Sequence, residues 1–589
     1  MNCANNHLDL MRQVIVLLSS GRSEEALQLL AKIPADAALH PHALHLRGIA
    51  HATQGETSQA IASFEAALPY LADNDELLAN LARAYSAHRR FADALALLDK
   101  IVDAGKASAI TFADRAVLLE KLGEHSRALE SCDIALALDA GLHLACATKG
   151  NLLHTAERYA EALDCHDCLI ALQPHDAFAR SARASTLDKL GRTVEALAEH
   201  RHAQSLCPGH AAIWSGQGVC LVLLDRLEEG LACFDQALAI DPSHVQARIN
   251  RASVLAELCR FPESLDQFDA ALRFAPVGSK AHSQAITSRG MVRLALGNPP
   301  GWADCEHRSF ADMAYDNHSA AAPRWTGADD LSGKRIVLWG EQGYGDIIQF
   351  CRYTVSLAEL GATVLLQVPR RLVSLCASLP AAAVLEQGAA IPPYDFHIPM
   401  MSMPLALQSY PDLEAIPCPG GYLRAEPRYA ERWKDVLPPR TRKLRIGFAC
   451  SGALHHSRNA RRSIPLEKLL PLADVADLFV LQPELTPDDL AVAEKHSDIS
   501  RPPLNTGDFA DVAGLIANLD LVISVDTSIA HLAGAMDVPV WILLPWNAEW
   551  RWMTARADTP WYRSARLFRQ PAQGRWDLVI SDVLRVLAT

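Results

Sequence analysis

A glycine-rich turn that ends in an aspartate is the first segment of the sequence whose residue types could support chemistry. It follows the apolar run RIVLW and contains Gly340, Gly343, Gly345 and Asp346. Glycines let a backbone turn tightly and let a ligand approach it, and a carboxylate at the edge of a cleft can accept a proton. The same aspartate could instead only cap the helix that follows, and the residues leave both roles open. The spacing is neither that of a Walker loop nor that of a dinucleotide fingerprint.

A second segment is rich in arginine and lacks acidic residues. Between Lys443 and Leu466 there are several arginines, among them Arg461 and Arg462, and no aspartate or glutamate. Guanidinium groups bind phosphate through paired hydrogen bonds. The loop therefore suits a diphosphate, although a solvated basic loop would have the same composition. Gln482, at the end of the next apolar run, is a further polar candidate for the same site.

The third segment is LVISVDTSIAHLAGAMDVPVWILLP, in which two apolar runs flank a short helix. The helix follows Asp526, Thr527 and Ser528 and carries His531. This pattern is typical of a βαβ unit, and the free N–H groups and dipole of the helix N-terminus can hold a phosphate. We expect Asp526 to cap the helix rather than react. His531 is either a core residue or a group that stabilises a leaving phosphate.

The periodicity around these segments predicts two α/β halves, residues 334–440 and 441–589. In the first, RIVLW and ATVLLQV are strands, a single helix runs from Ile347 to Gly361, and weaker strands lie near 383–385 and 396–400. In the second, strands RIGFA and LFVLQ precede the two apolar runs of the third segment. Alternating strands and helices of this kind indicate doubly wound sheets.

The chain before residue 309 has a different periodicity, a repeat of 34 residues that begins at His7 and needs no insertion. Its eighth and twentieth positions hold small residues and its thirty-second holds proline in later units: Gly48, Ala82, Ala116, Gly150, Ala184, Gly218 and Ala252; Ala26, Ala60, Ala94, Ala128, Ala162, Ala196, Gly230 and Ser264; Pro174, Pro208, Pro242 and Pro276. Small side chains let two helices approach closely, and such units fold only as a stack. We predict an all-α repeat region at 1–308 and a connector at 309–333.

Composition restricts the class of protein. A chain of 589 residues, half of them hydrophobic, is expected to form several domains. The formal net charge of -13 argues against a nucleic-acid-binding protein, and no apolar run has the length of a membrane span. The 14 cysteines lack a disulfide framework, which predicts a reduced, cytoplasmic protein. Cys165 and Cys168 form a lone CxxC, which we interpret as packing rather than a metal site.

The repeats, followed by WGEQGYGD, RIGFACSG, RRSIPL and the block from Asp508 to Pro545, resemble the bacterial tetratricopeptide glycosyltransferases. The C-terminal part is similar to the heptosyltransferase family and, more distantly, to the protein O-GlcNAc transferases. The resemblance implies a GT-B fold, in which two Rossmann-like halves face each other across a cleft. It also implies that the C-terminal half holds the nucleotide sugar, and that transfer inverts the anomeric centre without a metal or a cofactor.

Individual residues match the family's site. Asp346 matches the aspartate that is the candidate general base, and Gly343 and Gly345 form the turn on the acceptor side. Thr527, Ser528 and His531 match the donor-side turn. The implied donor-binding residues are Arg461, Arg462, Gln482, Asp526, Thr527, Ser528 and His531.

One loop departs from the family pattern. Where related sequences read W-x-G-N-P, this chain has Cys450, Ala453 and Leu454, followed by Arg458 and Asn459. The departure predicts either an altered donor or a loss of activity.

We expect a cytoplasmic glycosyltransferase that moves a sugar from a nucleotide-sugar donor to a Ser or Thr hydroxyl of a protein held in the groove of the repeats. By resemblance, the expected acceptors are flagellins or surface adhesins. Two alternatives remain: a tetratricopeptide scaffold with an inactive transferase domain, which the changed loop favours, and a glycan heptosyltransferase whose repeats dock it to an assembly complex.

Overall fold

The computed structural model describes residues 2–308, 318, 321–408, 416–418, 420–452, 459–505 and 507–588. The chain divides into two compact units, Met1–Ala247 and Arg248–Thr589. The boundaries at 308, 333 and 440 stay predictions, and residues 309–317, 319 and 320 of the predicted connector lie outside the described residues.

The first unit is built from consecutive pairs of α-helices, which confirms the predicted helical repeat. The two helices of each pair pack against each other and against the next pair. The helices are α1 (Asn2–Ser19), α2 (Ser23–Leu30), α3 (His40–Thr53), α4 (Thr57–Ala67), α5 (Asp75–Ala87), α6 (Phe91–Asp103), α7 (Ala109–Lys121), α8 (His125–Leu138), α9 (His143–Thr155), α10 (Tyr159–Leu172), α11 (Ala177–Lys189), α12 (Thr193–Leu206), α13 (Ala211–Leu223) and α14 (Leu227–Ile240).

Small side chains bring the helices of a pair together. A Cβ atom added to Gly48 would overlap the Phe64 ring, and one added to Gly218 would lie 2.7 Å from Phe234. His166 takes the place of the phenylalanine in another repeat, since a Cβ at Gly150 would lie 2.6 Å from its Nε2 atom. The glycines and their aromatic neighbours therefore pack as complementary pairs, and the burial of His166 has a structural reason.

One residue between the two helices of each repeat has a left-handed backbone conformation. Glycine fills this position at Gly21, Gly55, Gly123 and Gly191. In the other repeats the same position, with φ between 57° and 61°, is held by Arg89, Glu157, Asp225 and Cys259. A residue with a side chain costs about 1–2 kcal/mol in this conformation. Half of these turns therefore carry strain that glycine would relieve.

The second unit contains the last repeat helices and a parallel sheet of four strands. Its first elements are α15 (Val245–Glu257), α16 (Phe261–Phe274), α17 (Lys280–Ala295), α18 (Gly301–Cys305), β1 (Arg335–Trp339), α19 (Tyr344–Phe350), α20 (Tyr353–Glu359), β2 (Thr363–Val368), α21 (Arg370–Cys376), β3 (Ala383–Glu386), β4 (Phe396–Pro399), α22 (Met403–Ala406) and α23 (Pro427–Val436). The strand order is β3-β2-β1-β4. Ile336 of β1 lies opposite Val364 of β2 and Phe396 of β4.

A parallel sheet of six strands follows. Its elements are β5 (Leu444–Ala449), α24 (Asn459–Arg462), β6 (Ala476–Val480), α25 (Pro487–Lys495), β7 (Ile499–Ser500), α26 (Phe509–Ile516), β8 (Leu521–Val525), α27 (Ser528–Ala535), β9 (Val540–Leu544), β10 (Ala565–Arg569) and α28 (Trp576–Leu587). The order β10-β9-β8-β5-β6-β7 places β5 between β6 and β8. Counted from β5, this is the order of a doubly wound nucleotide-binding sheet, and the prediction of parallel α/β sheets is confirmed.

One helix predicted from the sequence is two in the structure. The segment expected to be continuous from Ile347 to Gly361 breaks between α19 and α20. Arg352 lies at the break and is fully buried. Its guanidinium donates to the Trp561 carbonyl at 2.9 Å and to the Tyr422 hydroxyl at 3.1 Å. The break thus places the buried Arg352 guanidinium beside residues of later elements. Hydrophobic periodicity does not reveal that the helix must break for this reason.

Aromatic side chains join these elements at the centre of the second unit. Trp302 of α18 packs edge-on against Trp550, which follows β9, with ring centroids 5.3 Å apart. Phe350 of α19 lies 5.6 Å from Trp561. All four belong to one buried cluster. The last repeat helices and both sheets therefore share a core within residues 248–589.

Candidate functional site

The glycine turn between β1 and α19 is fixed by a buried ion pair. Arg308 donates to the two carboxylate oxygens of Glu341 at 2.8 and 2.7 Å. The backbone N–H of Met401 donates to the same carboxylate at 3.0 Å, and the Glu341 side chain is fully buried. Glu341 is therefore a structural residue that holds the turn in place.

The two predicted turn glycines have different structural roles. Gly343 is the N-cap residue of α19, and its N–H donates to the Asp346 Oδ2 atom at 3.0 Å. Gly345 packs against α27, because a Cβ added there would lie 2.9 Å from His531 Cδ2 and 3.7 Å from Ser528 Cα. Glycine is thus needed at position 345 because α27, a helix of the six-stranded sheet, lies too close for a side chain.

Asp346 forms an ion pair with Arg551, which lies in the segment after β9. Arg551 also donates through Nε to Gln349 at 2.8 Å and through Nη1 to Glu549. Its guanidinium lies 4.6 Å from the centroid of the Trp550 ring. Burial lowers the pKa of Arg551 to about 10, so the side chain is still a cation at neutral pH. Asp346 consequently does two things at once: it caps α19 and it balances a buried positive charge.

The order of the six-stranded sheet reverses between β5 and β8, and ligands of open α/β sheets bind outside the carboxyl ends of the strands at such a point. Arg462 follows β5, Asp526 follows β8, and the Arg462 Nη1 atom donates to the Asp526 carbonyl at 2.9 Å. Gly452 leaves room for this guanidinium, since an added Cβ would overlap it. The predicted basic loop and the predicted helix N-terminus are therefore neighbours.

Asp526 is buried at the carboxyl end of β8. Burial, followed by the nearby Glu549 carboxylate, raises the pKa of Asp526 to about 7. The expectation that Asp526 caps α27 is wrong, because the N-cap residue is Thr527, whose hydroxyl accepts from the Ile529 N–H at 3.2 Å. Asp526 is still at the end of the strand, with its carbonyl bound to Arg462.

His531 is a buried residue of α27. Its Nδ1 atom lies 2.8 Å from the Tyr562 hydroxyl, and its ring stacks on Trp552 with centroids 5.2 Å apart. Burial, and then the Arg352 guanidinium, lowers the pKa of His531 to about 3. The imidazole is therefore neutral at physiological pH and is held by packing on both sides.

Gln482 organises the end of β5. Its Oε1 atom accepts from the N–H groups of Cys450 and Ser451 at 2.6 and 3.1 Å, and its Nε2 atom donates to the Ser451 hydroxyl and the Glu484 carbonyl at 2.8 Å each. Burial raises the pKa of the Cys450 thiol to about 12. The amide of Gln482 shapes the basic loop through these four bonds.

A cavity of about 360 Å³ lies at this crevice. Three predicted donor-binding residues line it: Arg461, Arg462 and Asp526. Gln342 lines it from the glycine turn of the first sheet, and Arg551 lines it from the segment after β9. The cavity thus brings together residues from both sheets.

The repeats supply the other wall of the cavity. Ser253 and Glu257 line it from α15, and Met291 lines it from α17. The Arg461 Nη1 atom donates to the Glu257 carboxylate at 2.6 Å, and Asn547 Nδ2 donates to the Glu257 carbonyl at 3.2 Å. One predicted phosphate-binding arginine is therefore already paired with a repeat residue.

The remaining predicted site residues are not among those that line the cavity: Gly343, Gly345, Asp346, Gln482, Thr527, Ser528 and His531. The departures at Ala453, Leu454 and Arg458 lie outside the described residues.

Sequence reasoning missed several residues of the cavity, namely Glu257, Gln342, Asn547, Glu549 and Arg551. For Arg551 a signal existed, since an arginine between two tryptophans is an unusual combination. Glu257 is an acid where the equivalent positions of the other repeats have none, for example Leu223 and Lys189, but this difference alone does not predict its partner.

Family models match two parts of the chain. The tetratricopeptide repeat models match residues 51–110, and also residues 11–76 and 224–279. The model of glycosyltransferase family 9 (heptosyltransferase) matches residues 504–548, which include β8, α27 and β9. The chain therefore combines tetratricopeptide repeats with a segment that is similar to the family 9 glycosyltransferases. The family 9 match therefore coincides with one side of the crevice.

A curated relative resembles part of the chain. Protein FlbA of Caulobacter vibrioides is 28% identical over 326 residues, which are 51% of this chain and 54% of FlbA. The chain thus spans about half the length of the curated relative that it matches.

Solved structures resemble the repeats. YrrB, described as a TPR protein with an unusual peptide-binding site, is 26% identical and covers 33% of this chain and 97% of its own, with a TM-score of 0.26. A tetratricopeptide repeat protein from Parabacteroides merdae is 18% identical and covers 43% of this chain and 99% of its own, with a TM-score of 0.36. At these TM-scores the likenesses add nothing to the fold described above.

Two features of the described residues concern membranes and metal ions. Within them, no helix is long and apolar enough to cross a membrane. Nor do the described side chains include a group of three His, Cys, Asp or Glu residues arranged to hold a metal ion. In the CxxC pair, Cys165 is half-buried and Cys168 is exposed.

Proposed function

We propose that this chain is an inverting, metal-independent glycosyltransferase of GT-B architecture. It moves a sugar from a nucleotide-sugar donor to a Ser or Thr hydroxyl of a protein acceptor that the repeats hold. The observation that carries the proposal is the composition of the cavity. Residues from the crevice of the second sheet, the glycine turn of the first sheet and two repeat helices line the same 360 Å³ of space.

The donor side of the proposal rests on the second sheet. Nucleotides bind at the point where the order of such a sheet reverses, and here that point carries Arg461, Arg462 and the N-terminus of α27. Guanidinium groups and helix N-terminal amides stabilise phosphate charge as the bond to the sugar breaks. These residues supply positive charge to the leaving nucleotide, and no metal is needed in the proposed mechanism.

The acceptor side rests on the first sheet and the repeats. Asp346, at the end of the glycine turn, is the proposed general base for the attacking hydroxyl. The last repeat helices reach the cavity through Ser253 and Glu257, so a polypeptide held by these helices would meet the donor there. Flagellins and surface adhesins are acceptors of the expected kind by resemblance, and the proposed location of the reaction is the cytoplasm.

A panel of ADP-, UDP-, GDP- and CMP-sugars tests the proposal. One donor is expected to raise the melting temperature and to be hydrolysed slowly in the absence of acceptor. Asp346→Asn is expected to lower turnover by roughly 10²–10⁴-fold while the donor still binds. Asp558→Asn, a change at an exposed carboxylate, serves as the matched control. Turnover by Asp346→Asn equal to that of the unmodified protein would refute the assignment of the base.

One observation favours the scaffold alternative. Arg461 is paired with Glu257, and all the hydrogen-bonding atoms of Gln482 have partners within the protein. A protein that has lost donor binding would tolerate such internal pairing. Calorimetry that detects no binding of any nucleotide sugar in the panel would favour the scaffold over the enzyme. The heptosyltransferase alternative, which the description of the matching family supports, predicts transfer to a glycan in the same assay and no sugar mass on protein.

A further inference from the structure

Arg551 lies between the cavity and Asp346. It lines the cavity, whereas Asp346 is not among the lining residues, and its guanidinium contacts the Asp346 carboxylate directly. Its other hydrogen bonds go to Gln349 and Glu549. A ligand that enters the cavity therefore meets Arg551, and Asp346 lies behind it.

The ion pair makes Asp346 a poor proton acceptor as it stands. Protonation of the carboxylate would leave the Arg551 charge without its partner in a buried position. The side chains of Asp346 and Arg551 are only 17% and 6% exposed, so solvent screens the pair weakly. In this arrangement the Asp346 carboxylate, which is the proposed general base, is held by Arg551 and is not available to accept a proton.

The charged and titratable groups around the pair come from several elements. Glu549 precedes Arg551 in the segment after β9, Asp526 lies at the end of β8, and His531 belongs to α27. Burial lowers the pKa of His531 to about 3, so the imidazole is neutral near pH 7. Among these four groups, Arg551 is the one that carries positive charge at that pH.

We propose that Arg551 is a positioning residue that holds Asp346 in an ion pair until the donor phosphate binds the guanidinium, and that Asp346 then becomes the proton acceptor. This inference rests on the proposed function. It adds an order of events, because the donor must bind before the acceptor hydroxyl can be activated. A phosphate can take two hydrogen bonds from one guanidinium and can bear more charge than a carboxylate. The exchange of partners is therefore favourable for Arg551.

The reaction that follows the exchange is balanced within the two substrates and Asp346. The O–H bond of the acceptor breaks and its proton moves to the Asp346 carboxylate. The acceptor oxygen forms a bond to the anomeric carbon of the donor sugar. The bond from that carbon to the phosphate oxygen breaks, and its electron pair leaves with the nucleotide, whose new charge lies beside Arg551.

The pH dependence of donor hydrolysis tests the exchange. The full chain is compared with Arg551→Gln, Arg551→Lys and the control Arg563→Gln, whose side chain is 65% exposed and pairs with Asp537. Arg551→Gln is expected to raise the KM of the donor at least tenfold and to move the acidic limb of the kcat/KM profile, which reports the free enzyme with the ion pair intact, by roughly one pH unit upward. Arg551→Lys should restore part of both effects, and Arg563→Gln should change neither. A higher KM with an unmoved limb, or a fall in kcat that follows only the folded fraction, would overturn the inference.

Pyrophosphate binding tests the same exchange without turnover. By calorimetry in buffers of different ionisation enthalpy near pH 6, binding is expected to take up more protons in the unmodified protein than in Asp346→Asn. Arg551→Gln should weaken the binding at least tenfold. Equal proton uptake, unweakened binding or no binding would overturn the inference. If the proton uptake is as expected but no nucleotide sugar is turned over, the proposed function fails while the exchange at Arg551 stands.

Discussion

Arg461 and Glu257 form a hydrogen-bonded ion pair at 2.6 Å, which ties the loop after β5 to helix α15 of the repeats. Asn547 adds a bond to the Glu257 carbonyl at 3.2 Å, and the Cys259 thiol lies 3.8 Å from the Trp546 carbonyl. All of these residues belong to the compact unit Arg248–Thr589. A change at Glu257 is therefore expected to reach Arg461, one of the proposed donor-binding residues, directly.

The pair should show a measurable coupling. In a double-mutant cycle with Glu257→Gln and Arg461→Gln, we expect a coupling free energy of about 1 kcal/mol, because the two side chains are only 18% and 23% exposed. Urea unfolding of the full chain gives the four stabilities. The pair Arg563 and Asp537, whose arginine side chain is 65% exposed, provides a control cycle with a smaller expected coupling. Equal couplings in the two cycles would show that the contact between Glu257 and Arg461 stabilises the protein no more than the control pair does.

Gly345→Ala should separate α19 from α27. The new methyl group would lie 2.9 Å from the His531 ring, and overpacking of this kind costs about 1–3 kcal/mol. Gly343→Ala is the matched control, since the nearest neighbour of its methyl group would be Asp346 Oδ2 at 3.4 Å. Chemical unfolding should show a clearly larger loss of stability for Gly345→Ala. Similar losses would mean that the contact between the two helices is easily rearranged.

The left-handed turns of the repeats predict opposite effects for opposite substitutions. Gly123→Ala should lower the free energy of unfolding by about 1 kcal/mol, and Glu157→Gly should raise it by roughly 0.5–1 kcal/mol. Gly209→Ala, where the methyl group meets no atom within 4 Å and φ is not left-handed, should change it by less than about 0.5 kcal/mol. The three variants are compared by urea unfolding followed by circular dichroism. Destabilisation by Glu157→Gly would show that the glutamate side chain compensates for the strained backbone.

Two buried groups of the crevice predict pH effects of opposite sign. The pKa of Asp526 rises from its ordinary 3.8 to about 7 on folding, so between these values the folded state holds the extra proton and stability falls as pH rises. The pKa of His531 falls from 6.5 to about 3, so between these values the unfolded state holds the extra proton and stability rises with pH. In the unmodified protein the two contributions nearly cancel between about pH 4 and pH 6.5.

Single variants expose each contribution. The stability of Asp526→Asn relative to the unmodified protein should increase with pH between about 4 and 7, by at most about 1.4 kcal/mol per pH unit. The relative stability of His531→Gln should decrease with pH between about 3 and 6.5, with a similar limit. Denaturant unfolding at pH 4.5, 5.5 and 6.5 measures both slopes. Slopes of the same sign for the two variants would contradict the protonation states assigned to this crevice.

The fold was predictable where its signals are local. The repeat was visible because the contact of Gly48 with Phe64 demands a small residue at a fixed place in each unit. The strands were visible because a strand buried on both faces, such as β8, is an unbroken apolar run. The break at Arg352 was not predictable, since its cause is a set of carbonyl and hydroxyl partners far away in the sequence.

The site was predictable only in part, for a related reason. Arg462 and Asp526 follow adjacent strands of one sheet, so their meeting follows from the topology. Glu257 and Arg461 meet across some 200 residues of chain, and Asp346 and Arg551 across a similar stretch. Contacts of this kind depend on how complete elements pack, which no residue spacing encodes. The roles assigned to the predicted site residues stay predictions.

The recurrence of one backbone conformation in every repeat has a consequence for how this gene can change. Helix α7 begins at Ala109 and helix α9 begins at His143, so residues 109–142 form one repeat unit of the stack. Unequal recombination between two such units deletes or duplicates a whole unit and leaves every later helix in phase. The number of units that precede the segment matched by family 9 can therefore change in evolution without any change in residues 504–548.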